Sequence, residues 1–336
     1  MPEINVAIAG ATGAVGLDMI ATLEKRNFPV KNLRLFASER SAGKKLRFRG
    51  NEIKIEVLNE HSFDQKNIDI ALFSAGAARS KEFASCAVKN NALVIDNSSA
   101  FRMDTDVPLV VPEVNPEDIK KHKGIIANPN CSTIIMVVAL KPIYDAFGIT
   151  RVIASTYQAV SGAGSQAMAE AVEQTRKLLA NEKIEPVHFA HQIAFNLIPH
   201  IDVFQENGYT KEEMKMISET RKIMHDDTLR ICATTVRVPV LRAHSESLNI
   251  ELRKKASPDD IRRVLAAAPG IKVFDCPEKK EYPMPFFIAG RDDVYAGRIR
   301  TDLSCENGIA MWVVGDQLLK GAALNAVQIA EKYIGI

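Results

Sequence analysis

The sequence has few of the features that would tie it to a covalent framework, a membrane or a polyanion. Its five cysteines (Cys86, Cys131, Cys232, Cys276 and Cys305) are odd in number, far apart and without a CxxC pair. That excludes a disulfide scaffold and a zinc knuckle, and leaves most of them as expected buried thiols. The formal charge is only +2, with Lys and Arg spread among Asp and Glu, so no extended nucleic-acid footprint is expected. No apolar run reaches the roughly 18 residues of a membrane span. The N-terminus, Met1-Pro2-Glu3-Ile4-Asn5, lacks a basic leader, and a cytoplasmic location is expected. Internal repeats and low-complexity tracts are absent, and Cys276 to Pro285 reads as a loop. His188 and His191 stand three apart without an acidic or thiol partner at ligand spacing, so no metal is expected. His61, His122, His200 and His225 are likewise assigned no chemistry.

What is present fits a compact enzyme or binding protein. Hydrophobic residues make up 46% and charged residues 25% of 336, enough for two lobes that each bury a core. The first third alternates short apolar runs (Asn5 to Ala9, Leu33 to Ala37, Ile68 to Ser74, Leu93 to Asp96) with helix-length amphipathic segments such as Val15 to Arg26. This pattern predicts an α/β, Rossmann-like domain with a parallel sheet and crossover helices. From Arg151 onward, helices over Gln166 to Leu179, Lys211 to Met224 and Pro258 to Ala268 mix with strands over Val152 to Gln158, Cys232 to Val240 and Leu248 to Leu252. An α+β domain with a mixed sheet is expected there. The last segment, Asp316 to Tyr333, carries a wide apolar stripe and is expected to pack back on the first lobe. The expected division is residues 1–130 completed by 316–336 as a dinucleotide-binding domain, and residues 131–315 as a catalytic and dimerisation domain.

Directly after the first strand comes Gly10-Ala11-Thr12-Gly13-Ala14-Val15-Gly16. Glycines at such a strand-to-helix turn let backbone approach a pyrophosphate, whose charge sits at the helix N-terminus. The whole run is therefore the candidate cofactor loop. The second strand ends in Ala37-Ser38-Glu39-Arg40-Ser41, where an NAD-binding chain usually offers an acidic residue to the ribose. Ser38, Arg40 and Ser41 suit a 2′-phosphate, which favours NADP; the alternative is an ordinary solvated basic loop. Ser161, Gly162 and Gly164 form a second small-residue loop that could admit backbone to the cofactor, or be a plain turn.

Cys131 stands apart from the other thiols. It lies in Asn128-Pro129-Asn130-Cys131-Ser132-Thr133, ahead of an apolar run expected to continue as a buried helix to Phe147. At a helix N-terminus, open amides and the dipole favour a thiolate, and a thiolate attacks carbonyl carbon.

At this point the chain resembles the aspartate-semialdehyde dehydrogenase family. The resemblance rests on GATGAVG (10–16), DNSSAFR (96–102), VPEVNP (111–116), NPNCST (128–133), YQAVSGAG (157–164) and RVPVLRAHSES (237–247), in the family's order over nearly the whole length. It implies that Cys131 is the nucleophile, which carries a thioester, and that His244 is the acid/base and Gln158 orients the substrate. It also implies that Arg237 pairs with the substrate α-carboxylate through its bidentate fork. Arg102, Asn130 and Lys222 would hold phosphate, with Glu219 near the substrate amine or steadying Lys222, and Asn325 would contact the nicotinamide side. Sequence spacing alone reads Glu219 and Lys222 as a solvated i,i+3 pair. The implied activity is NADP-dependent and interconverts L-4-aspartyl phosphate and L-aspartate 4-semialdehyde with inorganic phosphate. Its place is the biosynthesis of lysine through diaminopimelate and of methionine, threonine and isoleucine, in a homodimer. The rival enzyme is N-acetyl-gamma-glutamyl-phosphate reductase, whose cysteine block differs from NPNCST. A non-catalytic dinucleotide-binding relative is the other alternative, and it would be expected to have lost Cys131, Gln158, Arg237 or His244.

Overall fold

Hydrophobic alternation in the first strand separates two faces that each acquire helices. In the computed structural model, which describes residues 3–336, β1 (Ile4–Ala9) sends Val6 and Ile8 to one side and Ala7 and Ala9 to the other. Met1 and Pro2, which open the N-terminal stretch read above, lie outside the described residues. The chain continues through α1 (Ala14–Lys25), β2 (Val30–Ala37), β3 (Lys45–Phe48), β4 (Asn51–Val57), β5 (Ile70–Phe73), α2 (Ala77–Lys89), β6 (Leu93–Asp96) and β7 (Ile125–Ala127). These strands form a seven-stranded sheet in the order β3-β4-β2-β1-β5-β6-β7. Every pairing is parallel except the β3–β4 hairpin. Met19 and Leu23 of α1 pack with Val6 and Ile8, joined by Ala326, Val327 and Ile329 of the C-terminal helix Leu324–Ile334. Phe83, Ala84 and Ala87 of α2 cover Ala7 and Ala9. A sheet buried on both faces explains why its strands read as short continuous apolar runs.

The structure clusters into two compact units, with boundaries between Asn130 and Cys131 and between Gly321 and Ala322. The second unit opens with α3 (Cys131–Phe147) and β8 (Ile149–Gln158), then α4 (Ser165–Leu179), α5 (Lys211–Met224), β9 (Arg230–Arg237) and β10 (His244–Leu252). It closes with α6 (Pro258–Ala267), β11 (Ile271–Val273), the single turn α7 (Pro285–Ile288), β12 (Val294–Asp302) and β13 (Gly308–Gly315). The sheet order is β11-β12-β13-β10-β8-β9, and it is mixed: β8–β9 and β11–β12 are parallel, the other pairs antiparallel.

Several boundaries differ from the sequence reading. The β3–β4 hairpin was not anticipated; charged residues hold its exposed edge, as in the Lys45–Glu52 ion pair at 2.7 Å. Strand β9 stops at Arg237 instead of Val240, and β10 starts four residues earlier than expected, at His244. The last helix starts at Leu324, because Asp316 turns the chain first: its Oδ1 accepts from the amides of Leu318 (2.9 Å) and Leu319 (3.1 Å). A π-helical turn over Leu319–Ala323 follows, and residues 316–321 cluster with the second unit. All five cysteines are half-buried rather than buried.

Candidate active site

The cofactor loop can be tested on local sterics. Gly10 sits at φ +92°, and a Cβ there would lie 2.4 Å from the carbonyl oxygen of Ser74. Gly16 admits no Cβ either, because Gly10 O would be 2.2 Å away. The loop is thus a tight coil that delivers the chain into α1, whose N-cap Gly13 supplies no capping side chain. The first-turn amides of α1 are left to face an anion. Beside them lies a cavity of about 890 Å³ lined by Gly10, Thr12, Gly13, Ser38, Arg40 and Arg79 among others. Its size and polar rim suit a dinucleotide. Ser41 stands outside the lining but within 3.4 Å of Thr12 Oγ1, while Ala14, Val15 and Gly16 belong to the first turn of α1 behind the loop. Arg79, on α2, was missed by sequence reasoning, since nothing in its helix pattern says that it turns towards this cavity.

Also in the first unit, Arg102 is buried and donates through Nε to Asn128 O (2.9 Å) and through Nη2 to Asn97 O (3.0 Å). Its guanidinium is therefore held just beyond the C-terminal ends of β6 and β7. Asn130 is buried as the last residue before α3. Asn325, fully buried in the C-terminal helix, commits both amide protons to Val110 O (3.0 Å) and Asn128 Oδ1 (2.7 Å). It ties Asn128, the first residue of the cysteine block, to the backbone at Val110.

Chemistry in the second unit converges on one row of its sheet. Gln158 pairs with Arg237 across β8–β9, and His244 with Gly315 across β10–β13. Ser245 stands opposite Tyr157, so the antiparallel register sets His244 beside Gln158, with Nε2 to Nε2 at 3.4 Å. Cys131 is the first residue of α3, as the sequence predicts, and its Sγ lies 3.5 Å from His244 Nε2. Gly321 makes room for it, since a Cβ there would lie 2.9 Å from Cys131 Cβ.

The tautomer of His244 follows from its neighbours. The Ala159 amide donates to Nδ1 at 3.0 Å, so the neutral ring carries its proton on Nε2, facing the sulfur. Burial, and then the nearby Arg237 cation, push the His244 pKa well below its ordinary value, so the ring is neutral. Ala159 also anchors Arg237, whose Nη1 donates to its carbonyl at 2.7 Å. Burial lowers the Arg237 pKa while Glu212 and Cys131 oppose the shift; the guanidinium remains charged. Gly162 lets both groups approach: a Cβ there would lie 3.0 Å from Arg237 Nη1 and 3.2 Å from His244 Cε1. Ser161 is buried and accepts a hydrogen bond from Gln317 Nε2, whose Oε1 takes the amide of Ala243 at 2.8 Å. Gly164, at φ +99°, ends this loop and begins α4.

Glu212 is a participant the sequence reading missed. It is buried in the first turn of α5 and accepts from Gln158 Nε2 at 3.2 Å and from Lys215 Nζ at 3.1 Å. Nothing beyond the Thr210 capping box marks its position in the sequence. Glu219 is 1% exposed, which overturns the reading of Glu219 and Lys222 as a solvated pair; Lys222, one turn on, is half-buried. His188 and His191 are exposed and lie outside the converging row.

Known proteins resemble the chain over nearly its whole length. Residues 5–122 match the semialdehyde dehydrogenase NAD-binding domain, and residues 140–320 the semialdehyde dehydrogenase dimerisation domain. The aspartate-semialdehyde dehydrogenase of Aquifex aeolicus is 60% identical over 334 residues, covering 98% of each chain. That of Bacillus subtilis is 54% identical over 336 residues, with 98% of this chain and 96% of the relative covered. Among solved structures, aspartate semialdehyde dehydrogenase II of Vibrio cholerae, complexed with ASA, superimposes with a TM-score of 0.96 at 49% identity, covering 99% of each chain. The Candida albicans enzyme with NADP does so with a TM-score of 0.77 at 26% identity, again with 99% of each chain covered. With a nucleotide-sized cavity beside its glycine loop and a cysteine–histidine pair in the second unit, the chain belongs to the aspartate-semialdehyde dehydrogenase family of NAD(P)-dependent oxidoreductases in amino-acid biosynthesis.

Proposed function

We propose that the chain reductively dephosphorylates L-4-aspartyl phosphate to L-aspartate 4-semialdehyde, reversibly and through a thioester on Cys131, with NADP as cofactor. The observation that carries the reading is the placement of Cys131 Sγ at a helix start, 3.5 Å from an Nε2–H of neutral His244, beside Gln158 and Arg237. In the biosynthetic direction the Cys131 sulfur bonds to the acyl carbon and phosphate departs with the electrons of the broken C–O bond. NADPH, when bound, would supply the hydride that reduces the thioester. His244, as the acid/base, presents its Nε2 proton to the oxygen that becomes negative in each tetrahedral species, and collapse restores the Cys131 thiolate. Gln158 orients the acyl group without disturbing the thiolate by charge. Arg237 takes the α-carboxylate. Arg102, Asn130 and Lys222 are assigned to phosphate, and Glu219 to the substrate amine or to steadying Lys222.

Preference for NADP is supported by Ser38 and Arg40 on the cavity wall, and Ser161, Gly162, Gly164 and Asn325 are assigned to the cofactor. A homodimer through the second unit is supported by the family description of residues 140–320. No helix among the described residues is long and apolar enough to cross a membrane, and we assign the protein to the cytoplasm. The pathway assignment is lysine by way of diaminopimelate, with methionine, threonine and isoleucine.

The test is a direct assay with aspartate semialdehyde, phosphate and NADP, omitting each in turn. Reduction of NADP is expected only with all three present. Turnover with N-acetylglutamate semialdehyde in place of aspartate semialdehyde would reverse the substrate assignment, and a clear preference for NAD would reverse that of the cofactor. Light scattering at micromolar concentration should return twice the monomer mass.

A further inference from the structure

Two residues along β10 from His244, on the same face of the sheet, a carboxyl group has no evident use. Glu246 is completely buried, and neither of its oxygens has a hydrogen-bond partner among the described residues. Burial alone holds its pKa well above the ordinary carboxylate range. A partnerless buried acid destabilises the fold that contains it, so its surroundings need explaining.

Those surroundings repeat the catalytic row one step lower in the sheet. Glu246 stands directly opposite Thr156 on β8, and Thr156 in turn opposite Thr235 on β9; both threonines are fully buried. Side chains paired this way have Cβ atoms about 5 Å apart. Thr156 Oγ1 donates to Gln158 Oε1 at 3.1 Å, and Gln158 Nε2 donates onward to Glu212. A threonine hydroxyl has one proton to give but can accept. Were Glu246 ionised, its carboxylate would compete for the Thr156 proton and release the Gln158 carbonyl. As an uncharged acid it is instead the donor, and the Thr156 proton stays committed to Gln158.

We propose that Glu246 is a positioning residue: a carboxylic acid that donates to Thr156 through one buried water and so fixes the carboxamide orientation of Gln158. The polarity then runs in one direction, from Glu246 through Thr156 and Gln158 to Glu212. The inference rests on the reading of Gln158 as the group that orients the substrate.

Steady-state kinetics and thermal unfolding of Glu246→Gln, Glu246→Leu, Thr156→Val, the Thr156→Val/Glu246→Leu double variant and Gln158→Ala test it. Glu246→Leu should lower kcat/KM about tenfold, the scale of a slightly misplaced reacting group. Its Tm should stay level or rise, because the desolvation cost of a fully buried carboxyl is gone. Glu246→Gln keeps a donor of the same shape and should rescue kcat/KM to within about threefold of wild type. Thr156→Val should match Glu246→Leu, and the double variant should be no worse than either single, since both cut one chain. Equal activity in Glu246→Leu and Glu246→Gln, or additive losses in the double variant, overturns the proposal. A fully active Gln158→Ala would instead overturn the reading of Gln158 on which it rests.

Discussion

Gly162→Ala offers a quantitative check on the geometry of the site, because the added methyl meets three atoms of the two groups assigned to substrate and sulfur. The new Cβ would lie 3.0 Å from Arg237 Nη1, 3.2 Å from His244 Cε1 and 3.3 Å from His244 Nε2. Each separation is tighter than ordinary van der Waals contact, so something must yield by a few tenths of an ångström. Arg237 and His244 cannot retreat without stretching their bonds to Ala159, at 2.7 and 3.0 Å. The loop cannot retreat freely either, since Val160 N is tied to Val240 O at 2.8 Å and Ser161 to Gln317. Displacement on this scale of a hydrogen-bond donor aimed at a developing charge costs roughly 10- to 100-fold in kcat/KM, or about 1.4 to 2.7 kcal/mol. The fold itself should be little affected, because the methyl does not enter an apolar core. The assay is initial-rate NADP reduction over a range of aldehyde concentrations, with unfolding followed in parallel by circular dichroism. A variant whose kcat/KM stays within twofold of wild type, with an unchanged Tm, would refute the claim that Gly162 is required by the approach of Arg237 and His244.

Other perturbations address different parts of the site. Cys131→Ala should abolish phosphate-dependent NADP reduction while leaving cofactor affinity, measured by calorimetry, nearly intact; substantial remaining turnover would refute the covalent step. Arg237→Lys should raise KM for the aldehyde about tenfold with a smaller change in kcat, because an ammonium cannot reproduce the bidentate fork. An unchanged KM would remove Arg237 from carboxylate recognition. The Glu246 carboxyl has a folded-state pKa raised above its unfolded value of about 4.5, so native protein binds more protons than unfolded protein between those two values. Its contribution to stability is therefore complete below about pH 4.5 and is lost as pH rises through the folded value. Glu246→Gln should accordingly gain Tm relative to wild type at pH 8 but not at pH 4.5; a difference in Tm that is independent of pH would contradict the assignment of a protonated acid.

Local pattern and tertiary placement contributed differently to what could be read in advance. Strands β1, β2, β5 and β6 were legible because a sheet covered on both faces leaves continuous apolar runs, and β1 shows both coverings at once through Val6 and Ile8 against Ala7 and Ala9. The β3–β4 hairpin was illegible for the opposite reason: Lys45, Arg47, Glu52 and Lys54 give an edge ribbon no apolar run to find. The start of β10 was hidden because His244, Ser245 and Glu246 are polar, and only the finished sheet reveals that all three are buried.

The amino-acid sequence by itself determined the turn at Gly16, which meets Gly10 and Ala11, and the arrival of Cys131 at the first turn of α3, since both depend on contacts and propensities within a few residues, whereas Gly10 is required by Ser74 at the end of a neighbouring strand. The motif blocks also named Gln158, Arg237 and His244, but not where they stand. Their meeting was decided by strand register: Cys131 and His244 are 113 residues apart, and a slip of one residue in β10 would turn His244 to the opposite face. Tertiary structure alone also decided the tautomer of His244 through the Ala159 amide, brought Glu212 to Gln158, and buried Glu246 next to Thr156. A proton's position and a carboxyl's charge are set by which groups replace water around them, and those groups come from strands and helices distant in the chain.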